Sequence, residues 1–217
     1  MATPEDMARR YAVKRFIPGQ RDDAALARAL EAARLAPSSF GLHPWRIVRA
    51  EDPQVRRAVL DRAYGQEKVV TAGHLLVFAS RSPLTEDDVD AHVDLTARIR
   101  PLDEAAREKL RGTLVKNVLE RHDAAGLDAW CRAQCYLGLG VFLSACATLR
   151  LDAFPMEGFD PQAVTRLLGL DRERLTAQVL VTAGYGAPDD AEAARPKVRL
   201  ARGNFVLDAG LPTTAQA

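Results

Sequence analysis

Four short stretches of this chain hold side chains able to bind or activate a ligand. The first is Arg9-Arg10-Tyr11-Ala12-Val13-Lys14-Arg15-Phe16, with four cations in seven positions before Pro18-Gly19. Arginine offers phosphate oxygens a planar fork and lysine a point charge, so this run is a candidate phosphate site; a solvated basic face accounts for it equally well. The second is Leu35-Ala36-Pro37-Ser38-Ser39-Phe40-Gly41-Leu42-His43-Pro44-Trp45, which combines two hydroxyls, a glycine, an imidazole and two prolines. A rigid loop of that kind presents backbone N–H groups and small donors, as the polar edge of a cofactor requires, although an ordinary helix-to-strand turn has the same composition. The third is Pro155-Met156-Glu157-Gly158-Phe159, where glycine permits close backbone approach and a backbone N–H can point at an acceptor. The fourth is Arg195-Pro196-Lys197-Val198-Arg199. If it is extended, Lys197 and Arg199 project to one side; taken alone they read as surface cations.

The elements that must position these stretches follow from periodicity. Pro4 and two acids open a short helix over residues 4–10. Asp22 and Asp23 begin a second helix to Arg34, with Leu26, Leu30 and Ala33 on one face, and Pro37 ends it. An alternating strand begins at Trp45, and Asp52-Pro53 starts a helix to Asp61. A polar loop over residues 63–68 precedes a strand over residues 74–79. Residues 85–126 are charged and helical, interrupted at Pro101 and softened at Gly112. Residues 127–149 are apolar almost all round, which predicts a core helix buried on most faces, with Gly138 and Gly140 permitting close helix approach. A short strand then leads into the Pro155 turn, a helix begins near Pro161, and residues 178–186 form a buried strand ending in glycine.

Composition narrows the function classes. The chain has 217 residues and a formal net charge of +1, so no strong field steers it to nucleic acid or to an anionic membrane. Cys131, Cys135 and Cys146 share one apolar helical stretch, which predicts reduced core thiols; no histidine accompanies them at zinc-ligand spacing. The N-terminal residues show no secretory signal and no apolar run reaches membrane-spanning length, so the expectation is a soluble, cytoplasmic protein. No G-x-G-x-x-G, P-loop or G-x-S-x-G appears, and His43, His74, His92 and His122 form no H-E-x-x-H pair.

The helix–P-S-S–loop–P-W–strand junction, the Arg10/Lys14 spacing, the P-x-E-G-F turn and the P-K-x-R stretch occur in an order that resembles the FMN-dependent nitroreductase family, in the branch of oxygen-insensitive NAD(P)H nitroreductases and dihydropteridine-reductase-like enzymes. The resemblance runs from Arg9 to Arg199, nearly the whole chain. It implies an α+β fold with a central, mostly antiparallel sheet flanked by helices, residues 1–217 as one domain, and strand exchange within a homodimer. Arg10, Lys197 and Arg199 would hold the FMN phosphate. Lys14 would reach the ribityl chain or the ring, with Tyr11 and Ala12 beside it; Ala12 stands where the family often has serine.

Pro37, Ser38 and Ser39 would reach the flavin of the other subunit, with Phe40 and Gly41 toward substrate. Gln66 and Lys68 match the loop that bonds the pyrimidine edge of the flavin. Pro155 would pack on one ring face, with Met156 alongside and the Glu157 and Gly158 amides at the N5/O4 edge. Lys14 and Lys68 would also stabilise negative charge on reduced flavin. Residues 85–126 correspond to a helical excursion over the active site, and the aromatic that some relatives carry there is absent from residues 112–118. The long apolar helix would lie in the dimer interface, and the tail from Gly203 would add a strand to the partner.

The implied activity is NAD(P)H oxidation through FMN with reduction of nitroaromatics or quinones in a ping-pong cycle, the flavin carrying the chemistry without a dedicated catalytic side chain. Small-molecule substrates are expected, with no metal, nucleic acid or membrane partner. Two other readings stand beside it: a flavin- or ligand-binding module without catalysis, and another flavoenzyme on the same fold, such as an enone reductase or dehalogenase.

Overall fold

The computed structural model describes residues 2–209. Helix α1 (Pro4–Arg9) is closed at its start by a reciprocal Thr3–Asp6 capping box. Helix α2 (Asp23–Arg34) begins where Asp22 accepts from the Ala25 N–H. Strand β1 (Trp45–Arg49) follows the 37–44 loop, and α3 (Pro53–Arg62) starts on Asp52 with proline in its first turn. The short α4 (Lys68–Thr71) takes in part of the stretch expected as loop, and β2 (His74–Arg81) comes next. Helices α5 (Glu86–Ile99) and α6 (Glu104–Leu114), separated by residues 100–103, form the helical excursion, and a π-helical turn at Val115–Leu119 continues α6. Gly112 lies within α6 and does not break it. Helix α7 (Ala124–Thr148), capped by Asp123, is the apolar helix, and β3 (Asp152–Met156), α8 (Pro161–Leu167) and β4 (Leu175–Gly184) complete the core.

The four strands form one antiparallel sheet in the order β1-β2-β4-β3. Both central strands are buried along almost their whole length, because helices cover both faces. On one face α2 and α7 pack Leu26, Phe142 and Cys146 against Leu76, Phe78 and Val181; Phe78 and Phe142 meet edge to face. On the other, α3, α4 and α8 pack Val59, Val69 and Val164 against Leu75, Val77 and Leu180. The thiols of Cys131, Cys135 and Cys146 are free and buried, and burial pushes each pKa up to about 12.

Several boundaries differ from expectation. Strand β4 starts at Leu175 because Leu175 and Ala177 continue the ladder to Arg81 and Ala79 across a bulge. Pro155 and Met156 belong to β3, paired with Val181 and Leu180, so the turn begins only at Glu157. Of the two glycines on α7, Gly138 is pressed against the Trp45 indole, whereas nothing lies within 4 Å of a Cβ built at Gly140. The close approach at Gly138 is thus to a strand side chain. From Gly203 the chain completes a helical turn, α9 (Arg202–Phe205), and no strand occurs in the described part of the tail; residues 210–217 of the expected partner strand lie outside it. Among the described residues no helix is long and apolar enough to cross a membrane, and no group of acidic, histidine or cysteine side chains is placed to hold a metal.

Candidate functional site

Edge strand β3 carries Phe154 next to β4, and this ring collects two lysines from distant parts of the chain. Lys14 Nζ lies 4.8 Å from its centroid and Lys68 Nζ 4.7 Å, both within cation–π range. Lys14 is placed by its backbone: the Asp190 carboxylate accepts from the N–H of Lys14 at 2.8 Å and of Arg15 at 3.1 Å. Burial alone would raise the Asp190 pKa, but these N–H groups and that of Glu192 hold it below the usual carboxylate value. Lys68 is placed by α4, whose last carbonyls are gathered by the buried Arg56. Its Nε donates to Val69 O at 2.8 Å and its Nη2 to Ala72 O at 2.5 Å. Guanidinium capping of a helix C-terminus opposes the negative end of the helix dipole and fixes the turn that presents Lys68.

The Pro155 turn closes over the same ground. Gln66 Nε2 donates to the Gly158 carbonyl at 2.6 Å, and a Cβ at Gly158 would stand 3.3 Å from that nitrogen, so glycine allows the approach. The Tyr136 hydroxyl on α7 donates to the Glu157 carboxylate, and burial, followed by that bond, raises the tyrosine pKa. On the other side of the N-terminal arm, Lys197 Nζ donates to the Arg10 carbonyl, and Arg199 lies near enough to act on the Arg10 guanidinium. Tyr11, beside this arm, has its pKa pushed up to about 12 by burial and by Asp190 and Asp152.

The electrostatics of this cluster are unbalanced. Arg10, Lys14, Lys68, Lys197 and Arg199 make no ion pair with a carboxylate among the described residues, whereas nine other arginines do. Burial and then the nearby Arg199 lower the Arg10 pKa; burial and then Lys14 lower that of Lys68; burial, then Arg10 and Arg199, lower that of Lys197. Uncompensated like charge around a surface-open turn suits an anionic ligand with a polar ring, and FMN fits such a donor set through its phosphate and its flavin edge.

Four separate stretches are therefore brought together: residues 10–14, Gln66 with Lys68, residues 154–158, and Lys197 with Arg199. Met156 differs in kind. Its side chain is only 3% exposed and packs in the core, which leaves its backbone alone for a ligand. Ala12 is exposed and brings no hydroxyl.

The loop holding Pro37, Ser38, Ser39, Phe40 and Gly41 is tethered elsewhere. The Ser39 N–H donates to Oε1 of the buried Gln134 at 2.8 Å, and Ser38 Oγ accepts from the His43 N–H at 3.0 Å. Gln134 and Tyr136 are two positions apart on α7, hence ~200° around its axis, so the loop and the Glu157 turn occupy different sides of that helix. Phe40 and His43 hold positive φ of 56° and 47°, a backbone state that non-glycine residues adopt at a cost and that recurs where a loop is fixed for binding. Phe154, Tyr136 and Asp190 were not legible as site residues. Phe154 and Tyr136 sit in apolar runs that read as core, and Asp190 stands in a short acidic stretch with Asp189 and Glu192, its bonds to the Lys14 and Arg15 N–H groups spanning 176 and 175 positions.

The model of the nitroreductase family matches residues 7–185. A curated protein of Thermus thermophilus named NADH dehydrogenase is 32% identical over 181 residues, covering 83% of this chain and 85% of its own length. Among solved structures, the ydfN protein of Bacillus subtilis superposes with a TM-score of 0.83 at 21% identity, covering 95% of this chain and 97% of that one. A protein of Exiguobacterium sibiricum solved in complex with FMN superposes with a TM-score of 0.80 at 17% identity, covering 94% and 96%.

Proposed function

The chain belongs to the nitroreductase family, and on that premise we propose that it is an FMN-dependent NAD(P)H oxidoreductase that reduces nitroaromatics or quinones. The observation that carries this reading is the set of five cations without carboxylate partners around the Phe154 edge and the Glu157–Gly158 turn. The name of the Thermus relative supports a nicotinamide cosubstrate, and that of the Exiguobacterium complex supports FMN as the cofactor. When bound, FMN would supply the redox chemistry at its N5, with NAD(P)H as electron donor and the nitroaromatic or quinone as acceptor in a ping-pong cycle.

The chain's own residues bind and orient. Arg10, Lys197 and Arg199 clamp the phosphate; Lys14 and Lys68 supply positive charge near the ring; Gln66 and the Glu157 and Gly158 backbone amides line its edge, with Pro155 beside it. The working unit is a homodimer with its sites at the subunit interface. Two features support that. The Pro37–Ser38–Ser39 loop is held on a different side of α7 from the cluster, so it is free to serve a partner's site. Leu137 on α7 and Val198, Leu200, Phe205 and Leu207 of the C-terminal arm are exposed apolar groups in a single chain.

The test is a visible spectrum of protein purified without added cofactor, followed by anaerobic NADPH. Flavin bands that bleach and return with a nitroarene are expected. Bands that do not bleach would favour a flavin-binding module, and a colourless protein that takes up no FMN would end the proposal.

A further inference from the structure

A cleft of about 600 Å³ lies between the loop at residues 39–44 and α5, a size common among small-molecule sites. Its apolar walls include Phe40, Leu95 and Ile99, which are 46%, 46% and 70% exposed. Large apolar side chains left open around a concavity mark a binding surface. The imidazole of His43 stacks on Trp45 at 4.8 Å and adds a flat aromatic group to the lining.

The charged lining is nearly all of one sign. Arg34, Arg46, Arg81 and Arg100 face a single carboxylate, Asp88. Asp88 is already held by Arg81 at 3.1 Å and Arg174 at 3.0 Å, and Arg34 is paired with Glu31 at 2.7 Å. Arg46 and Arg100 have no ion pair among the described residues. Arg46 commits only Nη1, which donates to the carbonyls of Trp45 at 2.7 Å and His43 at 3.3 Å, so the side chain is oriented while Nε and Nη2 stay available. His43 and His92 lower the apolar character without adding charge near neutrality, because burial holds both pKa values below the ordinary histidine value.

We propose that this cleft binds a small aromatic carboxylate, its ring against Phe40, Leu95 and Ile99 and its carboxylate on Arg46 and Arg100. A bidentate guanidinium matches a carboxylate, and the apolar walls match a ring better than they match a hydrated inorganic anion. That such acids are the electron acceptors rests on the reading of Phe40 and Gly41 as substrate-side residues; the binding itself stands on the cleft.

The experiment is calorimetric titration of the FMN-loaded protein with benzoate and with benzamide, which have one shape and differ in charge. Loading with FMN keeps benzoate off the cluster at Arg10 and Lys197. Benzoate is expected to bind about tenfold tighter or more, the scale of a hydrogen bond to a charged group. In Arg46→Met and in Arg100→Met the preference should fall toward unity, and quenching of Trp45 fluorescence by benzoate should weaken with it. Equal affinity for the two ligands, no binding of either, or a full preference in both variants would overturn the assignment. If the protein takes up no FMN, the flavin reading fails by absorbance, and the same titration in excess inorganic phosphate still decides the cleft.

Discussion

Lys14 and Lys68, separated by 54 positions, hold their ammonium groups 4.8 and 4.7 Å from the centroid of one ring, Phe154. Two cations so placed repel each other, and the ring quadrupole offsets part of that repulsion. Burial and the neighbouring Lys14 together lower the Lys68 pKa, so the pair is poised to gain from any negative charge that forms beside it. Lys68→Ala is expected to lower the midpoint potential of the bound flavin by about 30 mV, equivalent to about 1.4 kcal/mol for a two-electron couple. A potentiometric titration checks this; an unchanged potential would place Lys68 away from the ring.

Arg10 meets no carboxylate and is crowded by Arg199. Arg10→Ala should weaken FMN binding by about 1.5–3 kcal/mol, the usual range for a hydrogen bond to a charged group. Fluorescence titration of the protein freed of flavin measures it, and full retention of FMN would remove Arg10 from the phosphate clamp.

Asp190 links acid stability to the site. Burial works to raise its pKa, the N–H groups of Lys14, Arg15 and Glu192 outweigh that, and the folded value is depressed. A depressed carboxylate stabilises the fold in full above its unfolded pKa of about 3.9 and loses that contribution as pH falls through the lower folded value. Asp190→Asn should therefore cost about 2 kcal/mol near neutral pH and flatten the acid limb of the stability curve. Urea denaturation from pH 7 down to pH 3 reads both effects; parallel curves for the two proteins would show that the carboxylate charge is not involved.

Gly138 tests the packing of α7 on β1. A Cβ there would lie 2.8–3.0 Å from three atoms of the Trp45 indole, and Trp45 is itself only 6% exposed. Gly138→Ala should destabilise by about 1–3 kcal/mol, the usual cost of overpacking, even though alanine is the better helix former. Gly140→Ala, with open space around it in the single chain, is the paired control for helix propensity, and equal stabilities in thermal melts would contradict the close contact.

Much of this protein is written in short-range pattern. Aspartates 22, 52, 103, 123 and 160 cap the helices that follow them, because a side-chain oxygen satisfies N–H groups only two or three residues ahead. The apolar run around Phe142 and the alternation from Trp45 set element type for the same local reason, and the order of the Arg10, Pro37, Pro155 and Lys197 motifs pointed to the family. What tertiary structure alone decided is which of those groups meet. Sheet order β1-β2-β4-β3 puts β3 at the edge, where Phe154 can receive Lys14 from the N-terminal arm and Lys68 from α4. Pairing with Val181 drew Pro155 into the strand, and the facing of α7 brought Tyr136 to Glu157 while Gln134 took Ser39 to another side. Such meetings depend on strand order and helix rotation, which arise from burying both sheet faces at once and leave no mark on the spacing of neighbouring residues.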